Sequence, residues 1–244
     1  LAWGVVIGAA LFLLVQLPSL FKLKGKFSFS LGLGNPDVMR VFQLMGPRVF
    51  GAAIVQLNFW VNNNLASNMA KGSIQSIGYG FTLMVMAQAA IAQSVAIAAM
   101  PTFSAQHALG KVDEMRSSLA SALRGMFLLS LPASVGLILL ARPIVSMLFE
   151  RGEFTASIAE MTAWALVWYA AGLVGHSIME VLTRAFYAQQ DTQTPVIIGV
   201  IAMGLNVVFS IWFSKLFAQI GWYPLGGLAL ANSLATALEA VALF

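Results

Sequence analysis

The chain has 244 residues, 59% of them hydrophobic and 9% charged, with a net charge of +4 and a mean hydropathy of +0.85. A soluble domain is usually about one-quarter charged, so this composition excludes an ordinary water-soluble globule and points to an integral membrane protein. There is no cysteine, which removes disulfides, thiolate nucleophiles and cysteine metal sites; the basic residues sit between apolar runs, where membrane topology rather than nucleic acid would put them.

A spanning helix needs about 20 mostly apolar residues. Seven stretches meet that need: Leu1–Leu20, Arg48–Ala70, Ser73–Met100, Gly125–Ala141 with some extension to Phe149, Met161–Leu182, Thr192–Ser214 and Leu225–Phe244. Continuous runs of this length satisfy their backbone in lipid as helices. The expected fold is therefore an all-α membrane protein, a polytopic bundle of about seven transmembrane helices. The chain opens on Leu1 and stops within its last apolar run, so it is read as an internal piece of a longer protein.

Arg48–Ala70 is unusual because it carries Gln56, Asn58, Asn62, Asn63, Asn64 and Ser67. At about 100° per residue, Gln56, Asn63 and Ser67 share one side of a helix, and Asn58 and Asn62 the opposite side. Amides at membrane depth need partners or water. They either line a substrate path or lock helices together.

Loops on one side of the bundle hold Lys22, Lys24, Lys26, Arg40, Arg48, Lys111, Arg116, Arg124 and Arg184, against Lys71, Arg142, Arg151 and Lys215 on the other. The positive-inside rule places the first set in the cytoplasm. Two of the cytoplasmic connections read as structured. Asn35-Pro36-Asp37 starts a short interfacial helix that runs to Met45 and breaks at Gly46-Pro47. Asp113 caps a second, through Leu123, with Met115, Leu119 and Leu123 on one face. On the outer side Gly152 makes a turn and Thr155 caps the fifth span. Pro101, Pro143 and Pro195 fall at or near span ends; Pro132 alone lies well inside a span, where it should kink the helix.

The third span carries Gln75, Thr82 and Gln93 in one line, with Gln88 pointing elsewhere; the line is either a cavity wall or a set of interhelical hydrogen bonds. In the fifth span His176, Glu180 and Arg184 are four apart and stack on one face. They form either a surface-near Glu180–Arg184 pair with His176 as bystander, or an ion or proton relay. Glu239 falls near the inner interface. No metalloprotease, nucleophile-elbow or phosphate-loop motif is present, and the carboxylates are scattered. The residues call for no cofactor, metal or nucleic acid, and translocation or scaffolding outranks catalysis.

Leu182-Thr-Arg-Ala-Phe-Tyr-Ala-Gln-Gln-Asp-Thr-Gln-Thr-Pro195 resembles a motif of the MurJ/MviN family of lipid II flippases. Met45-Gly-Pro-Arg48, Pro101-Thr-Phe-Ser104, Leu148-Phe-Glu-Arg-Gly-Glu-Phe-Thr155 and Gly227-Leu-Ala-Leu-Ala-Asn-Ser233 fit the same family in collinear order. The resemblance implies two six-helix lobes followed by two helices, in the superfamily of multidrug-and-toxin exporters. Residues 1–20 would be the last helix of the first lobe, 21–47 a cytoplasmic connection, and 48–244 the second lobe. The implied activity is flipping of undecaprenyl-pyrophosphate-linked peptidoglycan precursor across the bacterial cytoplasmic membrane by alternating access. The implied partners are that precursor, membrane lipids and cell-wall synthesis proteins.

The resemblance further places Arg48, Gln56, Asn58, Asn62, Asn63, Thr82 and Gln93 at the substrate cavity, with Arg48 attracting the anionic headgroup. Many family members carry an Asp-Arg pair after a Tyr in the third span, and an acidic residue three beyond the Arg. Here Tyr79-Gly80 leads to Phe81, Thr82 and then Val85. Two rival functions stay open: export of small cations or drugs, for which Glu180 is the available carboxylate, and a non-transporting scaffold for cell-wall synthesis. Membrane potential, sodium and protons all fit as the driving force.

Overall fold

The computed structural model describes residues 2–22, 34 and 36–244, and those residues are helical outside short turns. Two compact units are distinguished, Leu1–Phe42 and Gln43–Phe244. The first holds α1 (Ala2–Lys22), an apolar helix with Pro18 inside it, and the opening turns of α2 (Pro36–Ser67). The expected cap at Asn35 lies outside the described residues.

The second unit continues α2 and adds α3 (Ser73–Gln88), a π-helical turn (Ala89–Gln93), α4 (Ser94–Ala108), α5 (Val112–Leu139), α6 (Ala141–Phe149), α7 (Ala156–Ala171), α8 (Leu173–Ala188), α9 (Gln193–Ile220) and α10 (Leu225–Leu243). Four segments are long and apolar enough to cross a membrane: Ser73–Ala108, Val112–Leu139, Gln193–Ile220 and Leu225–Leu243. The bent pair α7–α8 makes a fifth. The other two expected spans correspond to α1, whose apolar stretch is Val6–Pro18, and to α2, whose second half carries the amides.

Three expectations are corrected. Helix α2 does not break at Gly46-Pro47 but runs through both residues. Unwinding there would expose further unpaired backbone groups, so a helix flanked by regular turns holds its course across a proline. The stretch from Asp113 is not a separate interfacial helix. It is the first part of α5, which starts after Lys111. Met115 and Leu123 do face inward, because α5 packs on α4 and α8. Pro132 is not alone within a span: Pro101 also lies inside a helix, because the third span continues to Ala108.

The second unit is assembled around α10, which packs on α9, α8 and α7, while α3 packs on α7. The fifth span bends by 49° between α7 and α8. Gly172 occupies the bend, and a Cβ there would lie 2.7 Å from the Cα of Ser233 on α10. The bend frees carbonyls that a straight helix would use, since the Gly172 amide turns to Tyr169 instead. Hydroxyls from two neighbouring helices take them up. Ser233 Oγ donates to the Trp168 carbonyl at 2.7 Å, and Ser134 Oγ donates to the Ala170 carbonyl at 2.6 Å. In lipid such groups have no water to turn to, so the two serines hold the break.

The segment that carries the strongest family resemblance is a tight helix-to-helix turn. The Asp191 amide bonds the Phe186 carbonyl and the Gln190 amide bonds the Tyr187 carbonyl, with Gln190 at φ 61°; this is a Schellman end for α8. The Asp191 carboxylate then accepts from the amides of Gln193 and Thr194 and from the Thr194 hydroxyl, capping α9. These bonds hold its carboxyl below the ordinary aspartate value.

Candidate functional site

The amides of α2 divide by face. Asn58 is buried, and its Nδ2 donates to Asn206 Oδ1 on α9 at 2.9 Å and to the Met203 carbonyl at 3.3 Å. Asn62 Nδ2 donates to Asn58 Oδ1 at 3.0 Å and to Asn206 Oδ1 at 3.2 Å, and Asn62 Oδ1 accepts from Ser210 Oγ at 3.0 Å. These four side chains lock α2 against α9. Asn206 Nδ2 is buried without an acceptor among the described residues. Gln56, Asn63, Asn64 and Ser67 lie on the other side and are exposed. Asn206 and Ser210 went unnoticed in the sequence, although two polar residues four apart in a long apolar helix signal a polar stripe.

On the third span Gln75 and Thr82 are exposed, and Thr82 Oγ1 bonds its own helix at the Gly78 carbonyl, 2.8 Å away. Gln93 is half-buried at the end of the π-helical turn. A π turn inserts about one extra residue, so Gln93 is rotated by roughly 100° from the straight line that α-helical spacing predicts. Gln75 and Thr82 therefore share a face that Gln93 only flanks.

Phe81, where many family members place charge, sits edge-on to Phe59 of α2 at 5.6 Å and to Tyr169 of α7 at 5.3 Å. Val85 packs against the apolar core. The wall that could have carried an ion pair is instead an aromatic ladder joining three helices.

The stacked trio of the fifth span separates into two pairs. Arg184 donates to Glu180 Oε1 at 3.0 Å, and His176 Nε2 lies 3.1 Å from Asn232 Oδ1 on α10. No hydrogen bond joins His176 to Glu180 among the described residues. Glu180, the carboxylate expected to serve a cation exporter, is thus already paired. A different carboxylate, Glu239, lines a cleft of about 400 Å³ between α2, α8, α9 and α10. Arg48 belongs to α2 one turn before Gly51, which also lines that cleft. Among the described residues, no group of three or more His, Asp or Glu side chains could hold a metal ion.

The profile of the lipid II flippase MurJ family matches residues 1–244. The chain belongs to the lipid II flippase MurJ family. It is 32% identical to a probable lipid II flippase MurJ of Vibrio cholerae serotype O1, over 100% of this chain and 45% of the relative. It is 34% identical to a lipid II flippase MurJ of Burkholderia cenocepacia, over 100% of this chain and 47% of the relative. A solved lipid II flippase MurJ in an inward closed conformation superposes with a TM-score of 0.74 at 27% identity, over 90% of this chain and 44% of that one. A transporter of the MOP superfamily from Pyrococcus furiosus shares the fold, with a TM-score of 0.71 at 16% identity, over 90% of this chain and 47% of that one. The chain spans about half the length of the curated relatives it matches.

Proposed function

We propose that the full-length protein translocates undecaprenyl-pyrophosphate-linked peptidoglycan precursor from the inner to the outer leaflet of the bacterial cytoplasmic membrane. The six-helix lobe of residues 48–244 would rock against a first lobe in alternating access. Family membership supports the substrate class, and the division of the α2 amides carries the assignment of roles. Gln56 and Asn63, with Thr82 and Gln93 on the third span, offer neutral donors and acceptors to a hydrated headgroup. Asn58 and Asn62 act through position, by fixing α2 on α9 so that the other amides stay turned outward. Arg48, at the cytoplasmic end of the span, attracts the anionic headgroup.

Phe81, Thr82 and Val85 favour one rival, a non-transporting scaffold for cell-wall synthesis proteins, since all three positions lack charge. Depleting the full-length protein and following externally accessible lipid-linked precursor separates the two. Transport predicts a fall in exposure on depletion; unchanged exposure would leave the scaffold.

A further inference from the structure

Glu239 is 6% exposed on α10. It makes no hydrogen bond or ion pair with any described residue, and the arginine of α8, Arg184, is held by Glu180 at 3.0 Å. The carboxylate packs against Gly199 of α9. A Cβ there would sit 3.0 Å from Glu239 Oε1. Glu239 lines the 400 Å³ cleft beside Thr183 and Tyr187, which bear hydroxyls, while Val196, Val200 and Met203 supply apolar wall.

A carboxyl removed from water stays neutral unless a counter-charge holds it ionised, so a cation that reaches it gains a charge partner. A carboxyl that lines a cleft of a membrane protein is therefore a candidate for meeting such a ligand. The chemistry of the lining narrows the ligand. One carboxylate and two hydroxyl-bearing side chains are too few oxygens to replace the hydration shell of a small metal cation. The rest of the wall is aliphatic and suits a hydrocarbon stem. We infer that the cleft at Glu239 is a binding site for an alkylammonium group, its stem against Val196, Val200 and Met203 and its charged end at the carboxylate. The ammonium could belong to the stem peptide of a lipid-linked precursor or to a free aliphatic amine. The site itself does not depend on the transport reading.

The test is titration of full-length protein in nanodiscs with n-hexylammonium, with empty nanodiscs subtracted and n-hexanol as the uncharged control. Saturable binding of the amine alone is expected. Glu239→Gln should weaken it at least tenfold without lowering the melting temperature, because a carboxyl with no bond to a described residue is replaced by an amide of the same shape. Gly199→Ala keeps the carboxylate but crowds it, and should weaken binding severalfold. Equal affinity in wild type and Glu239→Gln, or equal binding of hexanol, overturns the site.

A second arm compares lipid-linked precursor carrying a free or N-acetylated stem-peptide amine. Acetylation that weakens binding to wild type but not to Glu239→Gln supports the site with the precursor as its amine source. Acetylation without effect, alongside hexylammonium binding lost in Glu239→Gln, supports it with free amines as the source. Loss of precursor transport with hexylammonium binding intact would count against the transport reading and leave this site standing.

Discussion

Asn58 Nδ2 donates to Asn206 Oδ1 across 2.9 Å, joining α2 to α9 over 148 residues of sequence. That bond decides which amides of α2 are turned inward and which remain exposed. Removing either partner costs one bond of a shared network, since Asn58 Nδ2 keeps the Met203 carbonyl and Asn206 Oδ1 keeps Asn62 and Ser210; such a bond is worth about 0.5–1.5 kcal/mol. Asn58→Leu and Asn206→Leu should each lower the unfolding free energy of the full-length protein by that order. A double-mutant cycle checks the linkage: the two losses should be sub-additive, since the second change removes a bond that the first has already broken. Additive losses would mean the residues do not share a bond.

The bend at Gly172 should be intolerant of any side chain. Gly172→Ala places a Cβ against the Ser233 backbone at 2.7 Å, and backbone cannot rotate aside. We expect a loss of roughly 1–3 kcal/mol from overpacking. Ser233→Ala removes the hydroxyl bonded to the Trp168 carbonyl and should cost about 0.6–2 kcal/mol. Thermal unfolding in detergent ranks the two, and Ser233→Ala should be the milder.

Asp191 caps α9, and Asp191→Ala should cost on the order of 1 kcal/mol. The carboxyl is held below its ordinary value by the bonds from Thr194 and Gln193. A group depressed in the folded state contributes stability above its unfolded value and loses it as pH falls through the folded value. The difference in melting temperature between wild type and Asp191→Asn should therefore be constant near neutrality and shrink below about pH 4. A difference that persists unchanged in acid would show that the charge is not what caps the helix.

The helical runs were legible because a bilayer imposes its thickness on the sequence, although the third, fourth and fifth runs each hold more than one helix. The two-sided polarity of α2 was equally legible from its angular spacing. Which side meets protein was not, since that depends on Asn206 and Ser210, more than 140 residues away. The bend at Gly172 was hidden because the serines that stabilise it come from other helices. The π-helical turn at Ala89–Gln93 left no local mark and displaced Gln93 from its expected line. That Glu239 packs beside Gly199 was not legible, because α9 and α10 meet only in the fold.

The exposed neutral side chains of Gln56, Asn63 and Thr82 are the centre of the transport proposal. Its direct test is translocation of labelled lipid-linked precursor by full-length protein reconstituted in liposomes. Wild type is predicted to move the precursor between leaflets, and the combined change Gln56→Leu, Asn63→Leu, Thr82→Leu to slow it at least tenfold in a protein that still folds. Translocation at the wild-type rate by the triple variant, or none by wild type, would contradict the account.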